Sequence, residues 1–148
     1  MTPMADRRPP MPVVPKGGAC RWCATPILFP ATHKRAGEPN PRRTWCSKSI
    51  SPCVGEYKIA AFQGDMRKAL LRRDRGRCAD CGLTFRCGQW AADHKIPLWS
   101  VPHPVAMKDR HLYWGLENLQ TLCGPCHKAK CAREAAERAT IRGNLKAR

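Results

Sequence analysis

Between Tyr57 and Arg73, apolar side chains return at Ile59, Phe62, Met66, Ala69 and Leu70, with Arg67, Lys68, Arg72 and Arg73 between them, which is helical spacing. Gly64-Asp65 interrupts this pattern and predicts two consecutive helices, with Asp65 capping the second. Residues 89–96 predict a strand that Pro97 ends. Three Pro or Gly breaks and scattered aromatics make residues 98–117 an irregular excursion. Asn118 to Leu122 suits one helical turn with Asn118 as N-cap. Ala129, Ala132, Ala135, Ala136 and Ala139 then predict a final helix to about Ile141. Prolines 3, 9, 10, 12 and 15 rule out a helix or central strand at the start of the chain.

These elements are short, and little holds them together by apolar burial. The 148 residues include 14 Pro and 11 Gly, only 7% aromatics, and have a mean hydropathy of −0.51. Such a chain needs cross-links, and its ten cysteines are the candidates. No apolar run near Met1 resembles a signal segment and none is long enough to span a membrane, so a cytoplasmic location is expected. In that compartment thiols stay reduced, and paired cysteines read as metal ligands before disulfides. The expected organisation is a disordered basic Pro-rich tail (1–19), a cysteine-rich knuckle (20–56), a main domain with its leading helix (57–142) and a basic tail (143–148).

Charge points to the partner. Lys and Arg number 27 against 11 Asp and Glu, a formal net charge of +16. Self-repulsion of that size favours a polyanion as the partner, and nucleic acid is the first candidate. The basic helix face carrying Arg67, Arg72 and Arg73 is a candidate phosphate contact.

Cys78-x-x-Cys81 and Cys123-x-x-Cys126 form the stronger ligand quartet. Two residues between thiolates let both sulfurs face one ion, and two such knuckles complete a closed, structural zinc site. Cys20-x-x-Cys23 with Cys46 and Cys53 is a second, looser candidate, because six residues separate its last pair. Cys87 and Cys131 have no partner at ligand spacing and read as small buried residues.

Asp93-His94 and Asn118 lie within the loop that the stronger quartet closes, and His127 directly follows Cys126. Phosphodiester hydrolysis needs a base for water, a divalent cation at the phosphate and a group that steadies the base. Histidine, with an ordinary pKa of about 6.5, suits the base, and a carboxylate with an imidazole can anchor Mg2+, Mn2+ or a softer cation. One geometric demand follows. Neighbouring strand residues point to opposite faces, so Asp93 and His94 converge only if the strand is irregular there.

The segment Ala92-Asp93-His94-Lys95-Ile96-Pro97-Leu98, with Glu117-Asn118-Leu119-Gln120-Thr121-Leu122-Cys123-Gly124-Pro125-Cys126-His127-Lys128-Ala129-Lys130, resembles the zinc-stapled branch of the HNH endonucleases. The resemblance implies an α+β fold, a small ββα-metal domain stapled by a four-cysteine zinc site and preceded by a cysteine-rich zinc knuckle and a helix. It implies His94 as general base, Asn118 steadying the loop and the base, and Asp93 and His127 on the catalytic cation. It also implies DNA as substrate, with the final helix, including Lys128 and Lys130, gripping the backbone. No base-reading motif stands out, so weak specificity is expected, directed at structured DNA or set by a partner protein. His103 and His111, in the remodelled loop between Pro97 and Asn118, read as exposed or packing residues. The competing reading is a catalytically inactive zinc module that binds nucleic acid, which would have no need of Asp93, His94, Asn118 and His127 together.

Overall fold

The computed structural model describes residues 17–46, 52–86, 88–102, 104–106 and 109–146. Most of the expected N-terminal tail, together with Cys87 and His103, lies outside the described residues. Helices α1 (Pro52–Ala61) and α2 (Gln63–Asp74) lead into an antiparallel hairpin of β1 (Trp90–His94) and β2 (Leu119–Cys123). A short helix, α3 (Arg110–Trp114), lies between the strands, and α4 (Gly124–Lys146) follows β2 without a loop. The expected α+β class is met.

Three local expectations differ. The first helical stretch begins at Pro52 rather than at Tyr57, and it breaks at Phe62, which is extended (φ −123°, ψ 119°), rather than at Gly64-Asp65. Asp65 lies in the first turn of α2 and is not its cap. Asn118 ends a 3-10 turn (Leu116–Asn118), and the residues expected to form a helical turn after it are strand β2. That strand is buried on both faces: Leu119, Thr121, Leu122 and Cys123 are all buried, so no polar alternation marks it in the sequence. The final helix continues past Ile141 to Lys146.

The end of α2 is specified tightly. Arg75 turns left-handed (φ 52°) and its N–H caps the Leu71 carbonyl at 2.9 Å. Gly76 follows at φ 77°, where a Cβ would collide with the Phe85 carbonyl oxygen, so only glycine fits. This turn delivers Cys78 directly beneath β2, where the Ala79 N–H donates to the Thr121 carbonyl at 2.8 Å.

One face of the hairpin packs on α2. Leu70, Trp90 and Leu119 form that buried cluster, with Ile59, Met66, Phe85, Ala92 and Leu116 around it. Removing the Leu70 side chain, which is fully buried, would cost about 2–5 kcal/mol. A second cluster joins the N-terminal knuckle to the segment between the strands: Cys20, Trp22 and Ile27 pack against Leu98, Val101 and Trp114. Arg110 fastens this junction. Its guanidinium lies over the Trp22 ring, 5.0 Å from the centroid, and its Nε donates to the Trp22 carbonyl. The knuckle is thereby packed into the same structure as the hairpin.

Helix α4 has no buried residue, and its alanines are exposed. Its half-buried stripe is polar, running through Cys126, His127, Lys130, Glu134 and Arg138. The alanines therefore contribute helix propensity rather than an apolar face.

Arg110→Ala tests the junction. It leaves the Trp22 carbonyl without its donor and opens a void, which should lower stability by about 2–4 kcal/mol. Thermal melting would read this, and limited proteolysis should then cut preferentially within residues 17–46. An unchanged melting temperature would contradict the role given to Arg110.

Candidate active site

Both cysteine quartets assemble. In each of the sets Cys20, Cys23, Cys46, Cys53 and Cys78, Cys81, Cys123, Cys126, the four sulfurs lie within 4.8 Å of one another. Individual separations are 3.9 Å for Cys23–Cys46, 3.6 Å for Cys46–Cys53 and 3.8 Å for Cys81–Cys123. Four thiolates about 2.3 Å from a tetrahedral zinc would stand about 3.8 Å apart, so both quartets could hold that ion. The wide gap before Cys53 has a structural reason, since this cysteine sits in the first turn of α1. Burial opposes the charged form of Cys78, but backbone N–H groups of Cys123, Cys81 and Asp80 outweigh it and bring the thiol down to about 6. Burial and the N–H groups of Cys23, Trp22 and Cys46 act in the same opposed way on Cys20, which falls to about 7. The hydrogen bond shared with Cys123 pushes the Cys126 thiol up.

The stronger quartet joins three elements. Cys78 and Cys81 follow the α2 turn, Cys123 ends β2 and Cys126 lies in the first turn of α4. This places His127, next along α4, opposite Asp93 on β1, and His127 Nε2 stands 3.9 Å from Asp93 Oδ1. Two donors each about 2.1 Å from an ion lie at most about 4.2 Å apart, so this oxygen and nitrogen could both reach one small divalent cation, while neighbouring octahedral ligands would stand closer, about 3.0 Å apart. The other carboxylate oxygen, Oδ2, is occupied. It accepts from Gln120 Nε2 at 2.9 Å and pairs with Lys130 Nζ at 2.8 Å.

Asn118 is buried, with 4% of its surface exposed, and it locks the loop after β1. Its Oδ1 accepts from the Ile96 N–H at 2.8 Å, while Nδ2 donates to the carbonyls of Ile96 (3.0 Å) and Tyr113 (2.7 Å). The Lys95 N–H continues the ladder to the Asn118 carbonyl at 2.7 Å. Asp93 pairs with Gln120 and His94 with Leu119 in an unbroken register. The strand is therefore regular through His94, and alternation sends the His94 side chain to the face opposite Asp93. The irregularity expected there is absent.

Two of the basic residues expected to face DNA are tied to the backbone of the fold. Arg67 donates to the Trp90 carbonyl at 3.2 Å and stacks 4.2 Å from the Trp90 ring centroid. Arg73 donates to the carbonyls of Leu116 (2.9 Å) and Leu119 (2.8 Å), bracketing the start of β2, and pairs with Asp74. The hydrogen bond from Arg73, joined by one from Thr121 Oγ1, holds the Asp74 carboxyl below its ordinary range. Arg72 and Lys128 are exposed, as is His111. Cys131, expected to be buried, is also exposed, with Sγ 3.6 Å from His127 Nε2.

Sequence reasoning missed Gln120, Glu134 and the inward role of Lys130. The i, i+4 spacing of Lys130 and Glu134 was visible, but their contact with Asp93 and Trp99 depends on tertiary packing.

Residues 78–133 match the family model described as HNH endonuclease. No curated protein and no solved structure matches the chain. The matched span runs from the first ligand of the stronger quartet past His127 and Lys130, and it leaves out the first quartet.

Two substitutions test this architecture. Cys123→Ser should lower the bound zinc by one ion per chain and unfold the hairpin, because structural thiolate sites contribute on the order of 10 kcal/mol. A soluble, fully zinc-loaded variant, seen by metal analysis and circular dichroism, would contradict that role. Asn118→Ala leaves an N–H and two carbonyls short of partners and should cost about 2–3 kcal/mol in chemical denaturation.

Proposed function

With residues 78–133 matching the HNH endonuclease family, we propose that this chain is a divalent-cation-dependent DNA endonuclease that hydrolyses phosphodiester bonds. The observation that carries the reading is the meeting of Asp93 and His127 at 3.9 Å, from elements joined by one cysteine quartet. A non-catalytic zinc module that only binds nucleic acid would need the quartets but not this pair.

Asp93 and His127 would hold a Mg2+ or Mn2+ ion. Bound there, that cation supplies Lewis acidity toward a phosphoryl oxygen and charge stabilisation for the leaving oxygen. His94 acts as general base, accepting a proton from the attacking water on its imidazole. An unperturbed imidazole is largely neutral, and so able to accept, at neutral pH. Asn118 fixes the turn at Ile96 and so limits where His94 can stand. The regular register sends Asp93 and His94 to opposite faces of β1, so the cation and the base would reach the scissile phosphate from different sides of that strand. Zinc in the two quartets is structural in this reading.

Of the basic residues expected to meet DNA, Arg72 and Lys128 are exposed and keep that role, while the guanidinium of Arg73, though exposed, is tied to carbonyls and Asp74, and Arg67 and Lys130 are half-buried within the fold. None of these contacts reads base edges, so specificity is weak or set by a partner protein.

Zinc-loaded protein should nick supercoiled plasmid with Mg2+ or Mn2+ and stop with EDTA. His94→Ala should slow nicking by about 10²- to 10⁴-fold while zinc content and fold stay unchanged. Equal nicking by that variant would overturn the assignment. Arg72→Ala and Lys128→Ala should each reduce the salt slope of DNA affinity by about one.

A further inference from the structure

The cation expected between Asp93 and His127 would meet a carboxylate that is already half engaged. Asp93 Oδ2 faces Gln120 Nε2 at 2.9 Å and Lys130 Nζ at 2.8 Å, which leaves Oδ1 as the oxygen turned toward His127. Lys130 is itself fixed on two other sides. Its ammonium donates to the His94 carbonyl at 2.8 Å and pairs with Glu134, whose carboxylate also accepts from Trp99 Nε1 at 3.3 Å. Only 15% of each of the Asp93 and Lys130 side chains is exposed, so water competes weakly for this contact. One ammonium thus touches both consecutive residues of the Asp93-His94 pair.

We propose that Lys130 is a positioning residue that keeps Asp93 a one-oxygen ligand and selects small divalent cations over Ca2+. The inference rests on the cation-site reading of Asp93 and His127 given above. A carboxylate with one oxygen tied to an ammonium and an amide cannot turn both oxygens to an ion. Mg2+ and Mn2+ take single carboxylate oxygens readily, whereas Ca2+, with six to eight ligands, gains from bidentate carboxylates. The fixed positive charge beside Asp93 also weakens the pull on any cation. Affinity is sacrificed for orientation, and the His94 backbone is held by the same group. The surface-facing, DNA-gripping role expected for this lysine is replaced by an internal one, because its ammonium is spent on Asp93, Glu134 and the His94 carbonyl.

The test is Lys130→Met, which keeps the aliphatic stem, made in a Glu134→Gln background so that no second unpaired carboxylate appears. Mn2+ binding to zinc-loaded protein is read by electron paramagnetic resonance, with Ca2+ as competitor. Losing the ammonium should tighten Mn2+ binding at least about tenfold, the effect of one unit charge near a divalent ion in water, which partial burial would only enlarge. Ca2+ should displace Mn2+ more readily than it does in the Glu134→Gln parent. Lys130→Arg should restore the parent pattern. A lysine serving only the fold would give weaker Mn2+ binding or none, and unchanged or weaker binding in a folded, zinc-loaded Lys130→Met variant overturns the proposal. Retained Mn2+ binding in Asp93→Asn overturns it as well, by removing the cation site. Plasmid nicking is scored separately. Protein that shows the expected binding pattern without cleaving DNA supports the role of Lys130 while refuting the nuclease reading.

Discussion

Four sulfurs at the base of the hairpin set the positions of nearly everything else. Cys78 and Cys81 come from the turn after α2, Cys123 from the last position of β2 and Cys126 from the first turn of α4. Because Gly124 begins α4 immediately after β2, the direction of that helix is decided within three residues of a ligand. A hairpin of two five-residue strands has little independent stability, and the apolar clusters packed on it are small. A tetrahedral metal held by these four sulfurs would supply the missing constraint by closing the loop over residues 82–122. In that frame Asp93 and His127, distant in sequence, meet at 3.9 Å.

The same constraint allows α4 to pack through charge. Helices usually bury an apolar stripe, but the contact stripe of this one is His127, Lys130, Glu134 and Arg138. Ion pairs that are partly exposed contribute little stability, commonly about 0–1 kcal/mol each. Such a face would not hold the helix in place unaided. With the helix start anchored by Cys126, the polar stripe is free to organise Asp93, Trp99 and the His94 carbonyl instead.

What could be read in advance follows from how local each signal is. Two-residue spacing between thiols is a local property, and both quartets formed as their spacing implied. His127 could be singled out by its place directly after Cys126, and Asp93 only by the Asp93-His94 run inside the loop that the quartet closes. Strand β2 was not legible, because Leu119 and Thr121 point to one side and Leu122 to the other, yet all are buried and the period-two pattern vanishes. The cationic side chains were the hardest to place. Arg67, Arg73 and Lys130 look like solvent-facing charges on helices, and their partners are carbonyls and a carboxylate 23 to 46 residues away or across the hairpin. Charge alone cannot reveal whether a guanidinium faces water or closes a loop.

The first quartet bears on the candidate site through a continuous set of contacts. Cys20 and Trp22 pack on Trp114 and Leu98, and Arg110 of α3 donates to the Trp22 carbonyl. The same helix presents the Tyr113 carbonyl to Asn118, and Asn118 grips both the N–H and the carbonyl of Ile96, two residues beyond His94. The excursion between the strands is therefore held from two sides, by one quartet at the hairpin's base and by the other through α3. A long irregular segment would otherwise be free to shift Ile96 and the turn that ends β1 just after His94. Hence the N-terminal knuckle, although outside the matched span of residues 78–133, packs on the elements that frame the candidate site.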